Sequence, residues 1–345
     1  MTKVLIVKTS ALGDLVHIFP AIRAIKKFAP DAQIDWVVER SSAPIASAHP
    51  DIHQVIELDS RMWRKRPFFY RKEILSSIQQ LRKTEYDVLF DFQANSKSAL
   101  ITLLAKAKQK IGFNQKVSEW PARFVTNKRM DPVDGQNIRQ DYLDLVSLWS
   151  GKKEEVEIGT MLRLSSEEKN QLDALLKQKG TGTHLLIAPF SRWPNKQLLD
   201  STMTQYLSKI QESKPDAKLW IISGNDLERE KATQIANQLK NAQIAPKLTI
   251  PQLQWFMESM NQVISVDSLA LHLAYEAQVP TFALFGSSSP TKYGLSNKQS
   301  HIFFGSCPYG KTFEKRCPIL RTCKTGACLH DPTAETITTA YESLQ

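Results

Sequence analysis

The sequence predicts an α/β protein built from two doubly wound parallel-sheet domains, on three observations. Short apolar runs of strand length recur along the chain, amphipathic segments of helical length separate them, and one polar, charged stretch near the middle breaks the alternation. In the first half the predicted strands are VLIV (4–7), IDWVVE (34–39), VIEL (55–58) and DVLFDF (87–92). In the second half they are LLIA (185–188), KLWIIS (218–223), VISVD (263–267) and TFALFG (281–286). Several are almost wholly apolar, as a strand covered by helices on both faces must be. Helical patterns fall at 17–28, 72–83, 137–149, 197–211, 226–239 and 268–277. The break, GKKEEVEIGTMLRLS (151–165), reads as the passage between domains and closes near 180 with KGTGT. The expected organisation is an N-terminal domain over 1–160, a second domain over 175–331 that ends in a cysteine-containing tail, and a terminal helix over 332–345. Two such domains facing each other leave a cleft at the carboxyl ends of their strands, where ligands of these sheets bind.

Composition narrows the function class. A chain of 345 residues with 42% hydrophobic and 23% charged residues fits two ordinary soluble cores. No apolar run reaches the roughly 18–20 residues of a membrane span. The opening run VLIV is cut by Lys8, too soon for a signal peptide, so a cytoplasmic protein is expected. Between Arg61 and Arg129 there are 16 Lys or Arg against 5 Asp or Glu, while the whole chain carries +10. The excess therefore sits in one half, and it implies an anionic partner: nucleic acid, anionic lipid, or an acidic glycan or phosphate. Cys307, Cys317, Cys323 and Cys328 are clustered, with nine, five and four residues between them. In a cytoplasmic chain such clustering favours a metal site over disulfides, although the spacing is not a tight paired-cysteine zinc pattern. A structural metal and a loop that merely carries thiols both stay open.

The chemically suggestive stretches each follow a predicted strand. KTSALGDLVH (8–17) has one glycine, Gly13, so it lacks the fingerprint of a dinucleotide site. Thr9 and Ser10 offer hydroxyl and amide donors to a phosphate. Asp14 falls in the first helical turn, where it suits either a cap or an ionised general base. SRMWRKRPFFYRK (60–72) carries six basic residues and no acid, and its Trp and Phe residues read as ordinary packing groups or as a hydrophobic lip touching lipid. FDFQANSKSAL (90–100), APFSRWPNKQLLD (188–200), SGNDLEREKA (223–232) and VDSLALHLAYEAQVPTFALFG (266–286) complete the set.

These stretches, in this order over roughly residues 1–300, resemble glycosyltransferase family nine, the bacterial lipopolysaccharide heptosyltransferases. The resemblance implies a GT-B type fold, two Rossmann-like domains facing a central cleft, and transfer of a sugar with inversion. It implies Asp14 as the catalytic base. It places Arg61, Arg64, Lys65 and Lys97 against the anionic acceptor, with Asp91, Gln93 and Ser98 at matching positions. It places Thr9, Ser10, Lys196, Glu228, Asp267, Ser268 and His272 around the donor: Lys196 on the pyrophosphate, Glu228 near the ribose, and the Ser268 helix start, capped by that serine, on a phosphate. The implied donor is ADP-heptose, and the implied acceptor is a Kdo-containing lipid A precursor at the cytoplasmic face of the inner membrane. No cofactor is required for catalysis, because cations and helix dipoles supply the charge.

The chain departs from the family pattern at three places: Asn137 stands where a histidine is usual, Gln197-Leu198 where Trp-Pro is usual, and Leu269 where glycine is usual. The cysteine stretch resembles tails of other family members, some of which modify proteins. Two further readings follow, a family-nine enzyme acting on a protein or another glycan, and a non-catalytic polyanion binder. No nucleic-acid module is present, so nucleic acid is not expected as a partner.

Overall fold

The computed structural model describes residues 1–295 and 299–343. The chain forms two compact units, Met1–Arg163 and Leu164–Gln345. In the first, the strands are β1 (Lys3–Val7), β2 (Gln33–Glu39), β3 (Ile52–Leu58), β4 (Glu85–Asp91), β5 (Lys106–Phe113) and β6 (Lys128–Met130). In the second they are β7 (His184–Ala188), β8 (Lys218–Ile221), β9 (Ala242–Ile244), β10 (Gln262–Val266), β11 (Thr281–Phe285) and β12 (Ser300–Phe304).

Each unit holds one six-stranded sheet. The orders are β3-β2-β1-β4-β5-β6 and β12-β11-β10-β7-β8-β9, and every ladder is parallel. The second order is the first run backwards, so both units are doubly wound with the same connectivity. The strand order reverses between β1 and β4 in one sheet and between β7 and β10 in the other. At those points the crossovers leave in opposite directions and the strand ends stay uncovered.

The central strands read from sequence are present, and their burial explains why they were legible. Val4 to Val7 and Leu185 to Ala188 are almost wholly buried, as are Val263 to Val266. Four strands were not anticipated. β5 is KAKQKIGF, whose lysines keep its first half wet, while β6, β9 and β12 are short or lie at sheet edges. The charged helix Ser166–Lys179 was also unanticipated; it opens on a capping box between Ser165 and Glu168. The passage between units runs without regular structure, and it is tied to the first unit by a hydrogen bond from Arg163 N to Ala48 O (2.7 Å) and by the Lys27–Glu154 pair. The terminal helix covers Ala334–Glu342 and packs Tyr341 against Tyr206 and Phe282. The last two residues of the expected 332–345 helix lie outside the described residues.

After the helix Ala43–Ala48, the ring of His49 is fully buried, edge-on to Phe19 at 4.7 Å. Its Nδ1 accepts from Asp51 N at 3.1 Å, and its Nε2 has no partner among the described residues. Burial, with the charges of Arg163 and Arg23 behind it, pushes its pKa down to about 3. The folded unit therefore refuses a proton that the unfolded chain takes up near 6.5. Stability gained by keeping His49 neutral is complete above about 6.5 and is lost as pH falls toward about 3. Urea titrations of the wild type and of His49→Gln across that window should show a steeper loss in the wild type. Equal slopes would remove His49 from the acid response.

Candidate active site

The candidate site residues are set at the two switch points. After β1 the chain turns through Lys8, Thr9 and Ser10 into the short helix Leu12–Val16. Asp14 sits in that helix, partly exposed, and its Oδ2 accepts from Ala11 N at 3.2 Å. The carboxylate thus has the position of a cap and keeps a solvent-facing side. Thr9 is fully buried, its amide donates to Gln93 Oε1 (3.1 Å), and the Ser10 amide reaches the same oxygen at 3.4 Å. Gln93, arriving from the end of β4, therefore occupies the two amides that the sequence offered to a phosphate.

Gln93 is itself aimed by Asp91. Asp91 Oδ1 accepts from Gln93 N (3.0 Å) and Ala94 N (2.9 Å), and Oδ2 accepts from Ser98 Oγ (2.8 Å). Its carboxyl pKa is raised because burial outweighs these hydrogen bonds and the nearby Lys8 charge. Asp91 and Ser98 so act as a clasp on the β4 turn. Lys8, missed from sequence, is buried beside it. Its Nζ donates to Tyr142 OH (2.9 Å) and Phe92 O (3.1 Å). A lysine directly after a buried strand was the available signal. Asn137, in place of the usual histidine, caps the helix Ile138–Ser150 by accepting from Arg139 N at 3.1 Å.

The basic segment is laid out on the surface of the first unit. Arg61, Arg64 and Lys65 are exposed on the helix Ser60–Lys65, which Asp59 caps. Lys97 is partly withdrawn from this group, because its Nζ pairs with Glu39 Oε1 at 2.6 Å. Trp63 packs as expected and donates to Glu73 Oε1 (3.2 Å). Phe68 and Phe69 lie on the surface, 88% and 75% exposed, with Phe69 edge-on to the neighbouring Tyr70 ring at 5.0 Å.

In the second unit, the β7 loop ends in one tight turn, Pro194–Lys196. Lys196 is 7% exposed and its Nζ pairs with Asp267 Oδ2. Asp267, one residue past β10, gathers three side chains. Ser288 Oγ donates to Oδ2, and His272 Nε2 stands 3.3 Å from Oδ1. Burial alone would raise the Asp267 pKa; the Lys196 charge and the His272 hydrogen bond overcome it and hold the carboxyl far below the usual range. Lys196, Asp267 and His272, read from three separate stretches, are thus one cluster, and Ser288 is its unread fourth member.

Ser268 holds the N-cap position of the helix Leu269–Glu276 with extended backbone, but its hydroxyl makes no capping bond, contrary to expectation. Glu228 lies apart from the cluster. Its Oε2 accepts from Gly224 N (2.7 Å), closing the turn after β8, while Asn225 caps its helix. Among the described residues no three His, Cys, Asp or Glu side chains are gathered tightly enough to hold one metal ion. The cluster presents a buried cation, a charged acceptor that orients it, and an open helix start, a set suited to receiving a phosphate-bearing group.

Comparison with known proteins gives this arrangement its setting. The model of glycosyltransferase family 9 (heptosyltransferase) matches residues 74–322. Lipopolysaccharide heptosyltransferase 1 of Pseudomonas aeruginosa is 28% identical over 320 residues, covering 91% of this chain and 87% of the relative. The protein of the same name from Escherichia coli K12 is 26% identical over 305 residues, covering 87% and 92%. The solved structure of E. coli heptosyltransferase WaaC with ADP-2-deoxy-2-fluoro heptose is 22% identical and covers 100% of both chains, with a TM-score of 0.75. E. coli ADP-heptose lps heptosyltransferase II gives 18% identity, 99% and 98% coverage and a TM-score of 0.72. Those likenesses establish the two-domain GT-B fold, and the family match sets aside the non-catalytic polyanion binder. The chain belongs to glycosyltransferase family 9, the heptosyltransferases, and is a glycosyltransferase.

Proposed function

We propose that the enzyme transfers a heptose from ADP-heptose to a Kdo-containing lipopolysaccharide inner-core acceptor, inverting the anomeric carbon. The observation that carries this reading is the buried Lys196–Asp267–His272–Ser288 cluster at the switch point of the second unit. It is supported by relatives named lipopolysaccharide heptosyltransferase 1 and by the WaaC structure with an ADP-heptose analogue.

In this scheme Asp14 takes the proton of the acceptor hydroxyl as its oxygen bonds to the anomeric carbon. The bond from that carbon to the diphosphate oxygen breaks, and the electron pair leaves with ADP. Lys196 uses one of its three N–H groups on Asp267 and offers the others to the departing diphosphate. Asp267 and His272 fix the ammonium in place, and the helix start at Ser268 adds backbone N–H groups. Thr9 and Ser10 shape the loop that carries Asp14, and Glu228 is assigned to the ribose hydroxyls. No catalytic metal enters the scheme, since the cation and the helix dipole carry the charge.

Arg61, Arg64, Lys65 and Lys97 are assigned to the acceptor, whose carboxylates suit the two-pronged guanidinium. The bare Phe68 and Phe69 among six basic residues suit a cytoplasmic protein that rests on an anionic membrane face. Among the described residues no helix is long and apolar enough to cross a membrane. A second reading keeps the reaction and exchanges the acceptor for a protein or another glycan. It rests on Asn137 in the place of the usual histidine.

Transfer assays with several nucleotide sugars and truncated core acceptors test the assignment; activity confined to another donor and acceptor pair would overturn it. Asp14→Asn should lower transfer by about 10²–10⁴-fold with donor affinity unchanged. Retained turnover would remove Asp14 from the mechanism. Lys196→Ala should weaken donor binding by roughly 10- to 100-fold, the loss of one charged hydrogen bond of about 1.5–3 kcal/mol. Unchanged affinity would exclude it from the donor site.

Asp267→Asn leaves the Lys196 cation without its carboxylate and should cost about 3–5 kcal/mol of stability. The carboxylate's contribution is complete above its unfolded pKa of 3.8 and is lost as pH falls below it. Denaturation midpoints of the variant should therefore lack part of the wild type's acid-side decline. Parallel declines would show that the pair is not coupled to folding.

A further inference from the structure

All four cysteines face one cavity. Cys307, Cys317, Cys323 and Cys328 are free thiols, and they line a single pocket together with Phe313 and Ile319. Cys328 is buried, and the other three are partly exposed. Two glycines make the approach possible. A Cβ on Gly286 would meet Cys328 Sγ at 3.0 Å and Leu329 Cγ at 2.6 Å, and one on Gly305 would lie 1.6 Å from the Cys328 carbonyl oxygen.

The segment that carries them has little apolar core of its own. From 305 to 326 there is neither helix nor strand, and between 306 and 325 only Leu320 is buried. Irregular segments of this length are uncommon in compact domains, and one buried leucine does not offset the entropy of ordering them. A cross-link does. The thiols form no disulfide, and as the side chains stand no three are close enough for one ion. Four thiols around one cavity are the donor set with which cysteines hold an iron–sulfur cluster. A single zinc or iron ion would need the same thiols to rotate inward.

The segment also touches the donor cluster through two adjacent-residue pairs. Asn195 Nδ2 donates to Leu320 O and Cys323 O, both at 2.9 Å, and Lys196 follows it. Cys317 N donates to Ser287 O at 2.8 Å, Ser287 Oγ donates to Asn195 O at 3.1 Å, and Ser288 follows. Lys196 and Ser288, both on Asp267, are therefore held from behind by the cysteine segment.

We propose that Cys307, Cys317, Cys323 and Cys328 together ligate one thiolate-bound metal centre, and that this centre positions Lys196 and Ser288 for the donor. The metal part is independent of the function proposed above; the positioning part rests on it.

The test is the full-length protein purified without oxygen, with zinc, iron and acid-labile sulfide measured per chain and the visible spectrum recorded. Iron with sulfide in about equal amounts, near four of each, is expected. One zinc or iron without sulfide also supports four-thiolate ligation and identifies the inward-rotated form. Each single Cys→Ser variant should lose the centre and its spectral band, and should weaken ADP binding by about tenfold or more. Should the variants fail to fold, chelation of the wild type followed by re-addition of zinc, or of iron with sulfide, gives the same readout reversibly. Absence of all three with no uptake on reconstitution, metal retained in all four variants, or two disulfides on thiol counting would overturn the proposal. Metal loss with unchanged ADP affinity would overturn the positioning role alone. ADP binding absent from the metal-loaded wild type would instead count against the proposed function.

Discussion

The order of the parallel strands is the constraint on which the rest of this structure depends. In each unit the chain winds outward in one direction, returns to the middle, and winds outward in the other. Crossover handedness then sends the connections after the two central strands to opposite faces. A crevice opens outside their carboxyl ends, where ligands of such sheets bind. Asp14 and Gln93 follow β1 and β4, while Lys196 and Asp267 follow β7 and β10. Thr9 and Gln93 meet there, as do Lys196 and Asp267, because the topology sets their strands side by side.

Both switch points carry a buried lysine, and the two are satisfied differently. Lys8 is held by a carbonyl, a phenol and the Tyr142 ring, with its Nζ 5.1 Å from the ring centre. Lys196 is held by a carboxylate that also takes Ser288 and His272. Burying a charged pair brings little net stability, since desolvation offsets most of the attraction. A packed apolar group would serve a core equally well, so the retention of Lys196 and Asp267 at a strand end is better explained by what the ammonium binds. Lys8, enclosed by its own unit, is better explained as the fastener of the loop that carries Asp14.

What the sequence made legible follows the same division. The central strands stood out because helices cover both their faces and leave them uniformly apolar. β5 did not, because alternate lysines keep it half wet, and Ser166–Lys179 did not, because its stability comes from a capping box and not from an apolar stripe. At the site, Lys196, Asp267 and His272 were reached through the family resemblance of the stretches that follow β7 and β10. Their mutual contact was not, since it is fixed by which strands adjoin. Ser288 and Asn195 stayed hidden for a related reason: a serine or an amide has no distinctive chemistry until a partner faces it. For Phe68 and Phe69 the sequence left packing and an exposed lip open, because aromatic residues usually pack, and the structure leaves both on the surface.

The two dipeptides behind the donor cluster show how a strand-end site is kept rigid without a core of its own. Neighbouring side chains point to opposite sides in extended backbone and about 120° apart in a 3₁₀ turn, so in either they face different surroundings. Asn195 and Lys196 divide in this way, and so do Ser287 and Ser288. One member of each pair meets Asp267 and the other meets the cysteine segment or its own partner pair. The bond from Ser287 to Asn195 then ties the two dipeptides into one frame with Asp267 on one side. A change that loosens the outer side of that frame is felt at the ammonium without any contact to the substrate. Position here is therefore set by two layers, a charged inner one and a neutral outer one that shares its backbone.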